Sequence, residues 1–294
     1  MCFVFSNFAA KYCAMKIIRT FAILAIALVG LSSCGEYSAI QKTTDVDQKY
    51  EAAKQYYAEG YYNRAAYLLE DLVTRLKGSE RGEESLFMLG MSSYYSKNYS
   101  AAASYFKKYY QTYLKGIYTE DARYYAAKAL QRSTPEPRLD QTATYEAVTE
   151  YSNFLDAFPN SRYREDAQYN IFVLQDKLVE KEYLAAKLYY DLGTYFGNCT
   201  NGGSNYQACI ITAENAIKDF PYSDRREELS FLILRAKFDL AAQSVEERKI
   251  ERYNAAIDEY YGFVSEYPES QHLAKAKELY EKAAKITGVK QDNE

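Results

Sequence analysis

Tyr253-Asn254-Ala255-Ala256-Ile257-Asp258-Glu259-Tyr260-Tyr261-Gly262-Phe263-Val264-Ser265-Glu266-Tyr267-Pro268 is the stretch whose reading decides the fold. A small residue, Ala256, is followed seven positions later by Phe263 and twelve later by Pro268, with Tyr253 three before it. Seven residues make about two turns of an α-helix, so Ala256 and Phe263 share one face. The small residue lets a second helix approach closely, and the bulky one fills the space two turns on. Proline has no N–H to give and cannot continue the helix, so the helix ends just before it. The stretch reads as the second, or B, helix of a helical hairpin.

The same pattern recurs toward the N-terminus. The small residues are Ala65, Ala102, Ala147 and Cys209; seven on lie Leu72, Tyr109, Phe154 and Ala216. Pro159 and Pro221 follow the third and fourth, and Tyr62, Tyr99 and Tyr206 precede the first, second and fourth. The small residues are spaced 37, 45, 62 and 47 apart. A unit near 34 residues with insertions resembles the tetratricopeptide repeat, and Leu89-Gly90 and Leu192-Gly193 resemble that repeat's first, or A, helix. The expected fold is all-α, a tetratricopeptide-like solenoid of about five helical hairpins. An amphipathic segment from His272 to Ile286 would serve as the C-terminal capping helix that such stacks need. The A helices of units three and five carry the weakest pattern.

Three breaks explain the uneven spacing. Ser133-Thr134-Pro135-Glu136-Pro137 interrupts unit three, and Asn160-Ser161 should cap an extra helix from about Arg162 to Val179. Gly197 to Ser204 is a Gly- and Asn-rich insertion inside unit four. The composition agrees: 48% hydrophobic residues supply a core, while 13 Gly and five Pro in 294 residues argue against disorder and against an all-β fold. Tyr is abundant at 33 and Trp absent; a tyrosine buries its ring and keeps its hydroxyl wet, which suits half-buried helix faces.

The N-terminus carries its own signal. Met15-Lys16-Ile17-Ile18-Arg19 is basic, Thr20 to Leu31 is almost wholly apolar, and Ser32, Ser33 and Cys34 are small. This is the order of a secretory signal, and the apolar run is short of the roughly 20 residues that a membrane span needs. Leu31-Ser32-Ser33-Cys34 resembles the bacterial lipobox, which implies acylation of Cys34 with chains such as palmitate; Gly35 in place of Asp then implies the outer membrane. Translation is expected to begin at Met15. The resulting scheme is a signal peptide over 1–33 and a lipidated tether over 34–45. Repeats 1 and 2 with the first helix of repeat 3 take 46–132, and the rest of repeat 3, the extra helix and repeat 4 take 133–222. Repeat 5 and the cap take 223–288, and a disordered tail 289–294.

Several function classes are excluded by what is absent. Three basic residues and no acid lie in 1–33, which leaves 33 basic and 40 acidic residues from Cys34 onward, a net of −7. Nucleic-acid binding needs concentrated positive charge, so no nucleic acid is expected. The one histidine, His272, has no second ligand near it in sequence and reads as an exposed helix residue rather than a metal site. No phosphate loop, dinucleotide fingerprint or activated nucleophile is present, so no cofactor and no enzyme activity are expected. Cys209 sits at the small buried repeat position, which favours two free thiols over a Cys199–Cys209 disulfide. Asn98-Tyr99-Ser100 and Asn198-Cys199-Thr200 read as chance sequons.

The local matches go beyond a generic repeat. Phe158-Pro159-Asn160-Ser161-Arg162-Tyr163 with Asp166-Ala167, then Leu178-Val179-Glu180-Lys181-Glu182-Tyr183 with Ala186 and Tyr189-Tyr190, and Phe220-Pro221-Tyr222-Ser223-Asp224 resemble segments of the BamD family. These are lipoproteins of the machinery that assembles outer-membrane β-barrels. The resemblance covers about residues 34 to 286; the loop before unit three is shortened to Pro137–Gln141, and the Asn198–Ser204 insertion departs from the pattern. It implies a periplasm-facing scaffold, membrane-held through its lipid, whose N-terminal units hold unfolded outer-membrane protein segments. Its C-terminal units would dock on the periplasmic domains of a BamA-like barrel protein. The alternative is a periplasmic repeat lipoprotein that scaffolds cell-wall enzymes. Most tyrosines should be packing, because Tyr-x-x-Ala recurs with the repeat. Tyr56, Tyr57, Tyr94 and Tyr95 on the first two A helices are the expected substrate contacts, and Arg225, Arg226 and Glu227 the expected docking residues.

Overall fold

The B helices all stop in the same way. In a computed structural model, which describes residues 37–195 and 204–289, the residue after each of these helices turns its N–H back to the carbonyl of the repeat's bulky position. Leu76 bonds Leu72, Tyr113 bonds Tyr109, Phe158 bonds Phe154, Phe220 bonds Ala216 and Tyr267 bonds Phe263. Three of these capping residues precede proline, which disfavours the helical conformation of the residue before it. Phe158, Phe220 and Tyr267 accordingly sit at φ near −130° and ψ 68°, 67° and 64°.

All regular structure among the described residues is helical. The helices are α1 Val46–Ala58, α2 Tyr62–Arg75, α3 Glu80–Tyr95, α4 Tyr99–Thr112, α5 Thr119–Ser133, α6 Thr142–Ala157, α7 Arg164–Leu192, α8 Asn205–Asp219, α9 Arg226–Ala242, α10 Glu246–Glu266 and α11 Leu273–Thr287. Residues 37–42 form a further short helical run before α1. The odd-numbered helices are the A helices, and α11 is the cap. The signal over 1–33, Cys34, Cys199 and the tail from 290 lie outside the described residues. No helix among the described residues is long and apolar enough to cross a membrane.

The chain divides into two compact units, Met1–Ala126 and Ala127–Glu294. In the first, α1, α2, α3 and α4 pack as successive neighbours, and α1 also touches α3. In the second, α6 through α11 pack in the same order, with added contacts of α7 and α11 to α9. This is the tetratricopeptide-like solenoid that the sequence implies. Its core is the predicted one: Ala65, Ala102, Ala147 and Cys209 are fully buried and Ala256 is 2% exposed, and every residue seven positions on is buried as well. Gly90 shows how close the helices come, because a Cβ added there would meet the Phe106 ring at 2.6 Å.

Three features differ from the sequence expectation. The separate helix expected over 162–179 and the A helix of unit four are one helix, the 29-residue α7. Residues 164 to 192 contain neither Gly nor Pro, so nothing stops propagation until Gly193, which takes φ +48° as the C-cap. Leu192-Gly193 is therefore a helix end, whereas Leu89-Gly90 lies inside α3 at a helix crossing. His272 is half-buried rather than exposed: it precedes α11 and stacks on Phe231, ring centroids 4.3 Å apart and 8° from parallel.

Candidate functional site

In the first unit, three A helices bring aromatic side chains together. On α1, Tyr50, Lys54 and Tyr57 are spaced four and three apart and so share a face. On α3, Glu84, Phe87 and Tyr94 do the same, and Tyr118 and Tyr125, at and after the start of α5, lie two turns apart. Phe87 stacks on Tyr118 at 4.4 Å, and Tyr62 stacks on Tyr95 at 4.7 Å. Tyr57 meets Tyr62 edge-on at 5.8 Å, and Tyr94 meets Tyr95, Tyr99 and Tyr125 at 5.8, 5.5 and 5.6 Å. Each such pair contributes about 0.5–1.5 kcal/mol beyond its buried area.

Buried groups hold the ladder in place. Tyr109, fully buried on α4, donates to Glu83 Oε1 at 2.5 Å and accepts from the Tyr118 N–H at 3.1 Å. The same Glu83 oxygen accepts from the Ile117 N–H at 2.9 Å. The loop before α5 is thereby pinned, and with it the Tyr118 ring on Phe87.

The face is polar at one end and apolar along its length. Glu84 accepts a short hydrogen bond from the Tyr50 hydroxyl and pairs with Lys54 at 3.0 Å, and the Lys54 ammonium lies 5.1 Å from the Tyr50 ring centre. Burial alone would raise Glu84, but the hydrogen bonds from Tyr50 and Lys54 outweigh it and hold its carboxyl below the usual range. The hydrogen bond to Glu84 raises Lys54 in turn. Tyr57 is pushed up to about 12, first by burial and then by the neighbouring hydroxyls of Tyr95, Tyr62, Tyr125 and Tyr118. The Tyr57 phenol therefore stays protonated at neutral pH and can donate a hydrogen bond beside the rings of the ladder. The arrangement suits an extended polypeptide with apolar side chains and free backbone carbonyls.

Of the four predicted tyrosines, Tyr57, Tyr94 and Tyr95 lie on this ladder, and Tyr95 is 45% exposed. Tyr56 belongs to a second cluster, with Tyr37 at 5.5 Å, Tyr61 at 6.2 Å and the Arg64 guanidinium 5.6 Å above its ring. The residues that sequence reasoning missed are Tyr50, Lys54, Tyr62, Glu84, Phe87, Tyr118 and Tyr125. For Tyr50, Lys54, Glu84 and Phe87 the three- and four-residue spacing along α1 and α3 was the available signal, whereas Tyr62 opens the B helix α2 and Tyr118 lies just before α5.

The predicted docking residues are tied into the repeat. Arg225 pairs with Glu180 at 2.7 Å and lies 5.1 Å above Tyr183. Arg226 donates to the Pro221 carbonyl at 2.7 Å and to Glu266 at 2.6 Å. Arg164 makes the same turn contact one unit earlier, to the Pro159 carbonyl at 2.6 Å, so that bond belongs to the repeat. Glu227 accepts from Ser270 Oγ at 2.6 Å. Among the described residues, no group of His, Cys, Asp and Glu is placed to hold a metal ion.

A family model described as an outer membrane lipoprotein, YfiO, matches residues 42–201, more than half of the chain and all the helices of the tyrosine face. The chain belongs to the YfiO family of outer membrane lipoproteins. Curated relatives of this YfiO-family chain agree. It is 26% identical over 218 residues to the putative outer membrane protein assembly factor BamD of Aquifex aeolicus, covering 72% of this chain and 68% of that one. The outer membrane protein assembly factor BamD of Haemophilus influenzae is 25% identical over 189 residues, covering 60% and 70%. That of Caulobacter vibrioides is 23% identical over 181 residues, covering 60% and 59%.

Proposed function

We propose that this YfiO-family chain is a non-enzymatic scaffold of outer-membrane β-barrel assembly, anchored to the outer membrane through lipid on Cys34 and facing the periplasm. The first unit holds unfolded segments of outer-membrane barrel proteins on the ladder of Tyr57, Tyr62, Tyr94, Tyr95 and Tyr125. The second unit docks on the periplasmic domains of a BamA-like barrel protein, with Arg225, Arg226 and Glu227 at that surface. The observation that carries the reading is the half-exposed tyrosine ladder, in a family of outer membrane lipoproteins. Aromatic rings offer contact area at low entropy cost, and the tyrosine hydroxyls can donate to the free carbonyls of an unfolded chain.

The test has two parts. The purified full chain in mild detergent is titrated with a fluorescent unfolded barrel protein diluted from urea. Replacing Tyr57 and Tyr95 with Ser should weaken binding about tenfold or more, the scale of truncating two interface aromatics, with the helical spectrum unchanged. In cells, depletion should accumulate unassembled barrel proteins, and a barrel protein with repeated periplasmic domains should co-purify. Normal barrel proteins together with co-purified cell-wall synthases or hydrolases would replace this reading with the cell-wall scaffold.

A further inference from the structure

The two ends of the first unit differ in composition, and the tyrosine-rich end is the one at which the chain arrives from Cys34. The turns that join α1 to α2 and α3 to α4 lie side by side there, because Tyr62 stacks on Tyr95 at 4.7 Å. Residues 56–64 and 95–99, which form these turns, hold six tyrosines in 14 residues, with two basic residues and one acid. The turns at the opposite end, 43–48, 75–83 and 113–121, hold two tyrosines in 24 residues, with four basic residues and six acids.

The rings at the first end form a half-exposed group around one cation. Tyr56 meets Tyr37 edge-on at 5.5 Å and Tyr61 at 6.2 Å. The Arg64 guanidinium lies 5.0, 5.6 and 5.1 Å from the rings of Tyr37, Tyr56 and Tyr61. Tyr61, Arg64 and Tyr67 follow at three-residue spacing and so share one face at the start of α2. Tyr61 is 52% and Tyr67 57% exposed, and Lys97 is exposed on the neighbouring turn.

The position of the anchor points to what covers these rings. Cys34 is three residues before Tyr37. An extended chain spans at most about 3.6 Å per residue, so the two lie within roughly 11 Å of each other. A lipid on Cys34 therefore brings the bilayer surface to this end of the unit. The opposite end stands about 20 Å away, the length of the 14-residue α2. It exposes Leu114 and Ile117, but its acidic excess opposes approach to an anionic surface. Tyrosine suits the boundary of a bilayer, where its ring lies at headgroup level and its hydroxyl stays wet. Arg64 and Lys97 suit the phosphate groups found there.

We propose that the cluster of Tyr37, Tyr56, Tyr61, Arg64 and Lys97 rests in the headgroup layer of the membrane that holds the Cys34 lipid, as a second contact beside the anchor. The proposal rests on the reading that Cys34 is acylated. Tyr56, expected to touch substrate, touches lipid instead. The ladder that begins at Tyr62 and Tyr95 then opens next to the bilayer.

The chain contains no Trp, so one replacement gives a sole indole reporter. Tyr61→Trp, Tyr67→Trp and Ile117→Trp are each produced with the export signal, purified and reconstituted in vesicles of phosphatidylethanolamine and phosphatidylglycerol. Each is compared with and without a nitroxide-headgroup phospholipid, with acylation of Cys34 read by mass spectrometry and folding by the helical spectrum. The emission of Tyr61→Trp should shift to shorter wavelength and be quenched by the nitroxide. Tyr67→Trp, six residues or about 9 Å further along α2, should be quenched less, and Ile117→Trp should be unchanged. If Tyr61→Trp fails to fold, the contrast of Tyr67→Trp with Ile117→Trp decides. In an acylated chain, no quenching at the tyrosine positions, equal quenching at all three, or the strongest quenching at Ile117 would overturn the proposal and leave the anchor standing. A Cys34 that carries no lipid would overturn both readings.

Discussion

On the A helices of the first unit, aromatic rings meet from Tyr57 to Tyr125 beside one ion pair, Lys54–Glu84; at the A helices of the second, cations reach acids on neighbouring helices. There Arg225 reaches Glu180, and Lys237 reaches Glu259 at 2.7 Å and Glu214 at 3.5 Å, while Arg235 covers Tyr190. The B helices beneath are alike, with Ala65 over Leu72 in one unit and Ala147 over Phe154 in the other, all fully buried. Stability resides in the B-helix seam, where burying a large apolar side chain stabilises by about 1.5–3 kcal/mol. Exposed ion pairs contribute only about 0–1 kcal/mol each. The A-helix faces are therefore free to differ, and their chemistry is where binding is to be sought.

The comparison breaks most readily at the seam. Leu72→Ala and Phe154→Ala should each cost about 2–5 kcal/mol in urea unfolding of the full chain, because each leaves a cavity at a site with no solvent access. A large loss for one and none for the other would show that the units do not share a packing rule. Glycines give the next effect. Gly90→Ala should cost about 1–3 kcal/mol by forcing the added methyl into Phe106. Gly262→Ala in α10, where an added Cβ meets nothing within 4 Å, should be neutral or stabilise by up to about 1 kcal/mol through helix propensity.

Cys209 sharpens the comparison at the second unit's seam. Its thiol is free, fully buried and pushed up to about 12 by burial. Only the thiolate reacts, so alkylation at pH 8 should be roughly a thousandfold slower in the native chain than in denaturant. Fast native labelling would show that the seam opens there.

The smallest effects are in acid, and their sign differs between the units. Glu84 has a lowered folded pKa, so its contribution is present above its ordinary value of 4.5 and is lost as pH falls through the folded value. Glu84→Gln should flatten the acid limb of the stability profile by at most about 1 kcal/mol, given its partial exposure. Asp176 on α7 is raised by burial and by Asp224. Its charged form is disfavoured on folding, so stability falls as pH rises through its pKa. Asp176→Asn should be neutral or slightly stabilising at pH 7 and lose that advantage in acid.

How much of the site was legible follows from where each residue lies. Tyr57, Tyr94 and Tyr95 were readable because they sit on A-helix faces at repeat spacing. Tyr118 was not, because its position is set by the Glu83–Tyr109 bonds, which join residues 26 apart. The bond from Lys177 to Thr134 was illegible for the same reason, because it joins residues 43 apart.

The sequence by itself determined the all-helical class, the register of the five B helices and where three of them end. Each of those rests on a local cause, whether a small residue at a crossing, a bulky one two turns on the same face, or proline after the cap. Tertiary structure alone decided the rest. The weak pattern of unit five's A helix is one case: Leu229 to Leu234 of α9 are all buried, because α7, α8, α10 and α11 surround it. A helix covered on every side has no amphipathic period to read. The tyrosine ladder and the stacked His272 likewise depend on which helices meet, and only the packed chain decides that.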